Sequence, residues 1–569
     1  MIPADLSPLA RHFPRFIQAD GVVGATVAWL VERCLHGEVC LDLQEWAEHP
    51  LGENGPIMPD LETWRKQLQA HPWIGPSKPV VLDGLRLYLA RHYVAEVTIA
   101  QGILDRLGFD PIADAAEIRP CLQRLFPQRT EQKTAVAVAC ARRFAVITGG
   151  PGTGKTTTVL RLIALWQHLR PDLRLALAAP TGKAAGRLVE SLMTGKTHLP
   201  KGFGQQIPTQ ASTLHRLLGV GRGDPHGPDH PLALDALIVD EASMVDQELM
   251  AHLMASLPQT SRLVLLGDRH QLASVEAGSV LGDITGRGHR LAYSQSTFEW
   301  LKVLEAEPDD DPDLFEGIHD AIVELRQSHR FSADRGIGRL AQAVREGKTT
   351  AVKACLEEER EVGFWDQSDA GPDNRILKWM DQHYRPVLQA THVEEALTAL
   401  SRARVLTALR EGPWGEEGIT ARFEAGLARW GKIGDPNRPY SGLPIIITRN
   451  DYETGLFNGD VGILWMEENH LRACFPLEGE IRRIPLRQLP SWRKAWAMTV
   501  HRAQGSEFDS VLLVLPLPET PVLTRELIYT GITRAKKHCI LAGSRDSLKT
   551  GLNRKVQRAS GLATRLGWG

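Results

Sequence analysis

Short apolar runs, each followed by a segment with helical periodicity, recur along the chain from about residue 130. The first of them are FAVIT, LRLALAAP, ALIVD and RLVLLGD, which are apolar on both faces. Strands that are buried on both faces and separated by helices are typical of a parallel sheet with helices on either side. The pattern therefore predicts an α/β domain over residues 126–328.

A second α/β unit follows, because VLTAL, SVLLVLP and HCILAGS again have the pattern of buried strands. We predict that it comprises residues 329–434 and 493–569, separated by residues 435–492. In that insertion, LPIIITRN, LFNGDVGILWM and EIRRIPL alternate strand-like runs with turns, and Asn458-Gly459 is a hairpin signal since both residues tolerate positive φ. The insertion is predicted to be a small β-barrel.

Residues 1–125 have a mixed pattern and contain no chemical motif. Helices are predicted around residues 22–34 and 61–69, and VVLDGLRLYLA is a strand-like run. We expect a mainly helical domain with a docking role. Farther along, residues 191–210 form a small Gly- and Pro-containing insertion, and the acidic stretch EAEPDDDPDLFEG has the composition of a solvated loop rather than a metal cluster.

Composition excludes several classes of protein. The 569 residues are 43% hydrophobic and 24% charged, with a net charge of −2, so the chain does not coat nucleic acid by charge alone. No apolar run approaches the ~20 residues that cross a bilayer, and the start MIPADLSPLARH does not resemble a signal peptide. We therefore expect a cytoplasmic protein without a membrane partner. The seven cysteines form no C-x-x-C pair, which argues against a disulfide framework or a zinc site.

The strongest motif is ITGGPGTGKTTT, which fits G-x-x-x-x-G-K-[ST] directly after a predicted strand and at the start of a helix. Its backbone N–H groups can wrap phosphates, Lys155 can reach the β- and γ-phosphates of ATP, and the Thr156 hydroxyl can bind Mg²⁺. The predicted ATP-binding residues of this loop are Gly149, Gly150, Pro151, Gly152, Thr153, Gly154, Lys155, Thr156 and Thr157.

Polar residues follow the next predicted strands of the same domain. ALIVDEAS ends a strand in two adjacent carboxylates that point different ways, so we assign Asp240 to Mg²⁺ and Glu241 to the general base. In LLGDRHQL, Gln271 lies just beyond a strand end and can sense the γ-phosphate by hydrogen bonding.

Three further residues are candidates only in this context. Gln132 precedes an apolar helix upstream of the phosphate loop and could read the adenine edge. Arg330 and Arg534 lie outside the first α/β domain, from where an arginine can stabilise charge that develops on the γ-phosphoryl group. Standing alone, each would be interpreted as an ordinary surface residue.

The ordered set GGPGTGKTTT, LAAPTGKAAGRL, STLHRLLG, VDEASM, GDRHQLASVEAG, SHRF, TVHRAQGSEF and YTGITRAKK resembles the motif series of superfamily 1 DNA helicases. The spelling is most similar to that of the RecD family, the alpha subunits of exodeoxyribonuclease V (RecBCD). HGEVCLDL, LRLYLARHY, LREGPWG and LFNGDVGI also match that family, so the resemblance covers nearly the whole chain. The phosphate loop alone indicates only an NTPase, whereas TVHRAQGSEF together with YTGITRAKK is specific to helicases of this superfamily.

The resemblance implies two RecA-like motor domains, an inserted SH3-like barrel, and ATP and Mg²⁺ as cofactors. It also implies 5′→3′ movement on single-stranded DNA, action at duplex DNA ends, and assembly with RecB and RecC subunits in double-strand break repair by homologous recombination and in DNA degradation. By position in the motif series, the DNA-binding residues would be Pro180, Thr181, Lys183, Thr213, His215, Thr499 and His501.

Two departures from the family pattern are visible. Stand-alone relatives have a longer N-terminal extension, which favours the complex-bound type here. Residues 191–210 should correspond to a strand-separating hairpin, yet the sequence shows no clear aromatic wedge there.

The segment TVHRAQGSEFD places a His, a Ser and a Glu within seven positions, but a hydrolase triad needs them to converge on one point. We instead expect Gly505 and Glu507 to face the nucleotide, with Glu507 accepting a hydrogen bond from a ribose hydroxyl or orienting Arg534. Two classes compete with the helicase: a nuclease, suggested by the acidic run at residues 309–313, and a regulatory subunit that binds ATP without turnover. A stand-alone RecD-like helicase is the third alternative.

Overall fold

The computed structural model describes most of the chain and shows four sheets of 3, 5, 5 and 6 strands. The described residues are 6–52, 55–221, 225–273, 276–286, 292–308, 312, 316–328, 336–367, 374–451, 453–477, 480–556 and 558–568.

The N-terminal part packs helices around a small antiparallel sheet of order β1-β3-β2. Its elements are α1 (Pro8–Phe16), α2 (Gly21–Leu35), β1 (Cys40–Asp42), α3 (Leu43–Trp46), α4 (Leu61–Gln69), β2 (Val80–Asp83), β3 (Arg86–Leu89), α5 (Ala90–Leu104) and α6 (Ala115–Leu125). The two predicted helices are present. The single strand-like run is wrong in one respect: it forms two antiparallel strands, because Gly84, at φ +59°, allows a tight reversal between them.

The first α/β body contains a six-stranded parallel sheet of order β6-β5-β7-β8-β4-β9. Its elements are α7 (Glu131–Ala141), β4 (Phe144–Gly149), α8 (Lys155–Leu169), β5 (Leu175–Ala179), α9 (Gly182–Lys196), β6 (Ser212–Thr213), α10 (Leu214–Leu217), β7 (Ala236–Val239), α11 (Gln247–Ser256), β8 (Arg262–Gly267), α12 (Val280–Ile284), α13 (Gln295–Val303) and β9 (Ile322–Leu325). Alternate residues of β4 enter opposite cores, Ala145 and Ile147 on one side and Phe144 and Val146 on the other. This explains why the strands are apolar on both faces.

The second α/β body contains a five-stranded parallel sheet of order β10-β19-β18-β11-β17, so the α/β class predicted from the sequence is confirmed. Before the insertion lie α14 (Gly336–Glu346), α15 (Thr349–Glu358), β10 (Val362–Asp366), α16 (Asn374–Gln389), α17 (Val393–Arg402), β11 (Ala403–Thr407) and α18 (Glu416–Arg429). The insertion contributes β12 (Pro444–Ile447), β13 (Val461–Glu467), β14 (His470–Leu477), β15 (Glu480–Pro485) and β16 (Trp492–Lys494). After it come β17 (Ala497–Thr499), β18 (Phe508–Val514), α19 (Arg525–Ile532), β19 (Ala535–Gly543), α20 (Arg545–Asn553) and α21 (Leu562–Arg565).

The inserted strands form an antiparallel sheet of order β15-β14-β13-β12-β16. Asn458-Gly459 lies in a turn, with Gly459 at φ +96°, but it does not close a two-residue hairpin because β12 already ends at Ile447. The tight hairpin is at Glu468-Asn469, where both residues have positive φ and the flanking residues pair.

Two loops predicted from composition have different outcomes. The first residues of the 191–210 insertion complete α9, and the described residues 197–211 that follow contain neither helix nor strand. Phe203 and Ile207 of this segment are buried in the core beside α8, so its one aromatic side chain does not project as a wedge. The acidic run at residues 309–313 lies, apart from Pro312, outside the described residues.

Residues 558–568, which we name the C-terminal strap, return from the second α/β body to the first body and the N-terminal part. The buried carboxylate of Glu96 accepts hydrogen bonds from Ser560 Oγ (3.2 Å), from the Gly561 N–H (2.9 Å) and from Arg565 Nε (2.9 Å). Trp568 donates its indole N–H to the Ile284 carbonyl at 2.9 Å. The strap therefore ties the N-terminal part to the first body.

All seven cysteines are free thiols, and six of them are buried. Among the described helices, none combines the length and the apolar character that crossing a membrane requires.

Candidate nucleotide and DNA site

The phosphate loop joins the end of β4 to the start of α8. A Cβ atom on Gly149 would lie 2.7 Å from the Leu325 carbonyl oxygen and 2.8 Å from Thr153 Oγ1, so only glycine fits there. Gly154 adopts the left-handed conformation at φ +84° and directly precedes the first helical residue, Lys155. The loop therefore brings its backbone N–H groups to a helix N-terminus, which is a favourable anion site.

The Lys155 amine donates hydrogen bonds to the carbonyls of Gly149 (2.6 Å) and Gly150 (3.1 Å) of its own loop. Thr156 and Thr157 occupy the first turn of α8, and Gln132, in the first turn of α7, donates its amide to the Thr153 carbonyl at 3.3 Å. The sequence-predicted residues of this loop thus converge on one cradle.

Two carboxylates follow β7 at the carboxyl edge of the first sheet. The half-buried Asp240 accepts a hydrogen bond from the Glu241 N–H at 2.8 Å. Glu241 has φ +52°, a conformation that is uncommon for a residue other than glycine. Burial, and then the adjacent charge of Glu241, raise the pKa of Asp240 to about 7. Such a carboxylate favours a nearby cation, and Asp240 and Thr156 are the oxygen donors that would hold Mg²⁺.

Gln271 lies on the loop after β8 and donates its amide to Asp268 Oδ2 at 3.2 Å. Its carbonyl oxygen Oε1 is buried and has no hydrogen-bond partner among the residues that the structure describes. The Tyr529 hydroxyl, from α19 of the second body, donates to the same Asp268 oxygen at 3.0 Å. Gln271 also lines the cleft beside the phosphate loop, where an unsatisfied buried acceptor fits a bound, hydrated nucleotide.

The second α/β body forms the opposite wall. Arg534 is buried and donates to the carbonyls of Thr530 (3.2 Å) and Ser506 (3.3 Å). Burial lowers the pKa of its guanidinium, while the charges of Glu241 and Glu507 oppose that change. Arg534 therefore faces carboxylates on both walls.

Arg187 was missed by sequence reasoning, although it lies in the quoted segment LAAPTGKAAGRL. From α9 it donates a hydrogen bond to the Gly505 carbonyl and lies 3.7 Å from Glu507 Oε2. Arg330 lies outside the described residues, so its predicted role stays a prediction.

The two walls enclose a cleft of about 750 Å³. Predicted residues that line it are Gln132, Pro151, Gly152, Gly154, Lys155, Thr156, Thr157, Asp240, Glu241, Gln271, Gly505, Glu507 and Arg534. Gly149, Gly150 and Thr153 shape the loop from behind. The volume and polar lining suit a nucleoside triphosphate.

The predicted DNA-binding residues lie at the carboxyl ends of strands in both sheets. After β5 come Pro180, Thr181 and Lys183. Thr213 is the last residue of β6, and the exposed His215 lies two residues further on. Thr499 ends β17 in the second sheet, and His501 follows it. Carboxyl ends of parallel strands are where ligands bind in such sheets.

Two of these residues are less exposed than a DNA contact on an open surface would be. Burial, then the charges of Arg404 and Arg187, lower the pKa of Lys183 to about 8. Burial, then the charge of Arg558, lowers the pKa of His501 to about 4, so this imidazole is neutral at physiological pH.

Comparison with known families agrees with this geometry. The family described as "AAA domain" matches residues 132–277, and the "UvrD-like helicase C-terminal domain" matches residues 494–542. The family described as "RecBCD enzyme subunit RecD, N-terminal domain" matches residues 4–88. Together, the fold and the site define an ATP-dependent helicase of superfamily 1.

Relatives that match nearly the whole chain identify the family within this superfamily. The chain is 33% identical to the RecBCD enzyme subunit RecD of Haemophilus influenzae, over 95% of this chain and 92% of that protein. It is 34% identical to the same subunit of Mycolicibacterium smegmatis, over 99% of this chain and 97% of that protein. The chain therefore belongs to the RecD family of RecBCD enzyme subunits.

Other matches are more limited. The ATP-dependent RecD2 DNA helicase of Deinococcus radiodurans is 32% identical over 73% of this chain, but over only 49% of its own length. Among solved structures, a Pif1 helicase described as unwinding forked double-stranded DNA is 17% identical and has a TM-score of 0.37, with 73% of this chain and 92% of that chain covered.

Proposed function

We propose that this chain is the 5′→3′ single-stranded DNA motor of a RecBCD-type helicase–nuclease, acting at duplex DNA ends in double-strand break repair by homologous recombination and in DNA degradation. The observation that supports it best is the cleft between the two parallel sheets. A phosphate loop with two carboxylates forms one wall, and a buried arginine forms the other. Such a cleft can couple hydrolysis to a change in the spacing of the two bodies.

In this proposal each predicted residue has a separate role in hydrolysis. Lys155 neutralises the β- and γ-phosphates and Glu241 takes a proton from the attacking water. Gln271 accepts a hydrogen bond from that water through its buried Oε1, or donates its amide to the γ-phosphate. Arg534 stabilises the charge that develops on the transferred phosphoryl group. Mg²⁺, held by Thr156 and Asp240, would supply charge neutralisation between the phosphates. Gln132 contacts the adenine, and Gly505 and Glu507 contact the ribose side of ATP.

The proposed DNA path crosses the carboxyl ends of both sheets, from Thr213 and Lys183 to Thr499 and His501. Contacts there would go to phosphates and stacked bases, which makes binding tolerant of sequence and sensitive to salt. The inserted strands would form an SH3-like barrel beside this path. We place the domain boundaries at residues 1–125, 126–328, 329–434 with 493–569, and 435–492.

Partner subunits of the RecB and RecC type would dock on the N-terminal domain. Large apolar side chains are exposed on it, including Phe16 at 76%, Ile57 at 71% and Val94 at 60%. Apolar side chains at such exposure, on a domain without a chemical motif, suit a protein interface. We propose a cytoplasmic heterotrimer.

An unwinding assay on duplexes with a 5′ or a 3′ single-stranded tail, with and without candidate partner subunits, tests the proposal. We expect unwinding from the 5′ tail, and preference for the 3′ tail would contradict the polarity. Lys155→Gln should abolish DNA-stimulated ATP hydrolysis, since the phosphate charge loses its partner. Full turnover by that variant would contradict the motor assignment, whereas ATP binding without turnover by the wild type would favour a regulatory subunit.

A nuclease has less support. The acidic run that suggests it lies largely outside the described residues, and within the described ranges no group of three or more potential ligands is arranged to hold a metal.

A further inference from the structure

One loop of the inserted sheet reaches across to the first α/β body. We name residues 453–460, which precede β13, the barrel loop. The Phe457 ring of this loop packs on Gly182, the first residue of α9: a Cβ atom on Gly182 would lie 3.0 Å from Phe457 Cδ2, 3.1 Å from Cγ and 3.4 Å from Cβ. Gly182 stands between Thr181 and Lys183, where the proposed DNA path enters the first body.

The barrel loop is held in a defined shape. Asp460 Oδ2 accepts the Phe457 N–H at 2.7 Å, and the Gly459 N–H donates to the Ile447 carbonyl of β12 at 3.0 Å. The Leu456 side chain is fully buried beneath the loop. Phe457 therefore lies in a turn whose conformation is fixed by hydrogen bonds and by a buried side chain.

The same turn brings an anion towards the proposed phosphate contact. Burial raises the pKa of Asp460 and lowers that of Lys183, and the attraction between the two groups opposes both changes. Lys183 is only partly exposed. A lysine that binds a phosphate of single-stranded DNA must be accessible to that DNA. Asp460 thus lies near the position that a DNA phosphate would take, and Phe457 covers the backbone beside it.

We propose that the barrel loop is a gate on the DNA path, closed in this structure, and that single-stranded DNA binds the first body only after Phe457 has left Gly182. The inference rests on the proposed function, because it assumes that DNA contacts residues 180–183. α9 also joins the gate to the ATP cleft, since Gly182 begins the helix and Arg187, a little over one turn on, contacts Gly505 and Glu507.

A reversible cross-link tests the gate. The Cβ separation at Gly182 and Phe457 is close to the ~3.8 Å of a disulfide, so the double variant Gly182→Cys with Phe457→Cys should form one on oxidation. We expect the oxidised full-length chain to bind a fluorescent oligothymidylate at least about tenfold more weakly than the reduced chain, because the open state is no longer populated. Dithiothreitol should restore binding.

Each single-cysteine variant is the matched control, and neither should respond to oxidation. A cross-linked protein that binds the oligonucleotide as tightly as its reduced form would overturn the proposal, as would failure of the two cysteines to cross-link. Failure of the wild type to bind single-stranded DNA at all would instead count against the proposed function.

A second variant tests the gate without a cross-link. Phe457→Ala removes the ring that packs on Gly182, so the open state should gain population and the affinity for the oligonucleotide should rise about threefold. Met466→Ala, at an exposed apolar position on β13, is the control and should leave the affinity unchanged. Weaker binding by Phe457→Ala would show that the ring holds DNA rather than excluding it, and would overturn the gate.

Discussion

Two glycines of the first body, Gly149 in the phosphate loop and Gly186 in α9, differ in the space available for a side chain. Gly149 has no room for a methyl group, while a Cβ atom on Gly186, in the middle of α9, would have no neighbouring atom within 4 Å among the described residues. The same substitution should therefore have opposite effects at the two positions.

We predict that Gly149→Ala abolishes ATP binding and lowers the free energy of unfolding by about 1–3 kcal/mol, because the Leu325 carbonyl must shift. Gly186→Ala should be neutral or stabilise by up to about 1 kcal/mol. Alanine loses less conformational entropy than glycine when the chain folds into a helix. Nucleotide titration and thermal unfolding of both variants check this. Equal effects at the two positions would contradict the assigned packing.

His501 allows a prediction about pH. Because its pKa is lowered to about 4, the neutral ring predominates at every pH above that value, and protonation begins only as the pH falls towards 4. Between pH 6 and 8, the DNA affinities of the wild type and of His501→Gln should therefore change in parallel. Binding titrations across that range measure the difference. A step near pH 6.5 that only the wild type shows would contradict the half-buried, neutral ring.

At the scale of elements, the loop after β8 links the two α/β bodies through Leu272 as well as through Asp268. The Leu272 N–H donates to Thr530 Oγ1 at 2.8 Å, and Gln504 donates its amide to the Leu272 carbonyl at 2.8 Å. Both partners are buried and belong to the second body. Leu272 follows Gln271, so these two hydrogen bonds connect the loop that carries the predicted phosphate sensor to the segment that carries His501.

Gln504→Ala should uncouple these elements. We expect the stimulation of ATP hydrolysis by DNA to fall about fivefold or more, with ATP affinity nearly unchanged, because the variant removes a link between sites rather than a ligand contact. Steady-state turnover with and without single-stranded DNA, together with a nucleotide-binding titration, measures both quantities. A parallel loss of ATP binding and stimulation would indicate general damage to the cleft.

The sequence predicted elements well where local pattern decides them, and poorly where distant packing does. Strands β4, β5, β7 and β8 were found from their apolar runs, and the phosphate loop from its spacing. The turn at Glu468-Asn469 was not, since a Glu gives no hairpin signal and the register of the strands imposes its conformation. Arg187 was missed for a similar reason: an arginine on a helix gains a role only when the second body brings Gly505 to it.

At the scale of the whole molecule, the C-terminal strap makes the N-terminal part and the first body depend on residues far away in sequence. Tyr88, too, donates its hydroxyl to Glu96, at 3.0 Å, and Arg565 pairs with Asp83 as well as with Glu96. No pattern near residue 96 predicts this hub, because its strap partners are more than 460 residues away.

Glu96→Gln should release this junction. Removing one partner of a buried, hydrogen-bonded ion pair costs about 3–5 kcal/mol, and we expect a lower melting temperature and faster proteolytic release of the N-terminal part. Glu248→Gln is the control, because its ion pair with Arg91 is long and exposed and contributes at most about 1 kcal/mol. Indistinguishable melting and proteolysis of the two variants would contradict the role of Glu96.

The strap also determines which part of the molecule would be anchored when the protein is attached to a surface through its last described residues. A surface linker attached at residue 568 would grip the first body and the N-terminal part, because Trp568 is bonded to Ile284 and the strap is bonded to Glu96. The second body, although it directly precedes the strap in sequence, would not be the part to which the linker is anchored. In a single-molecule recording, its displacement along DNA would then be measured against a stationary first body.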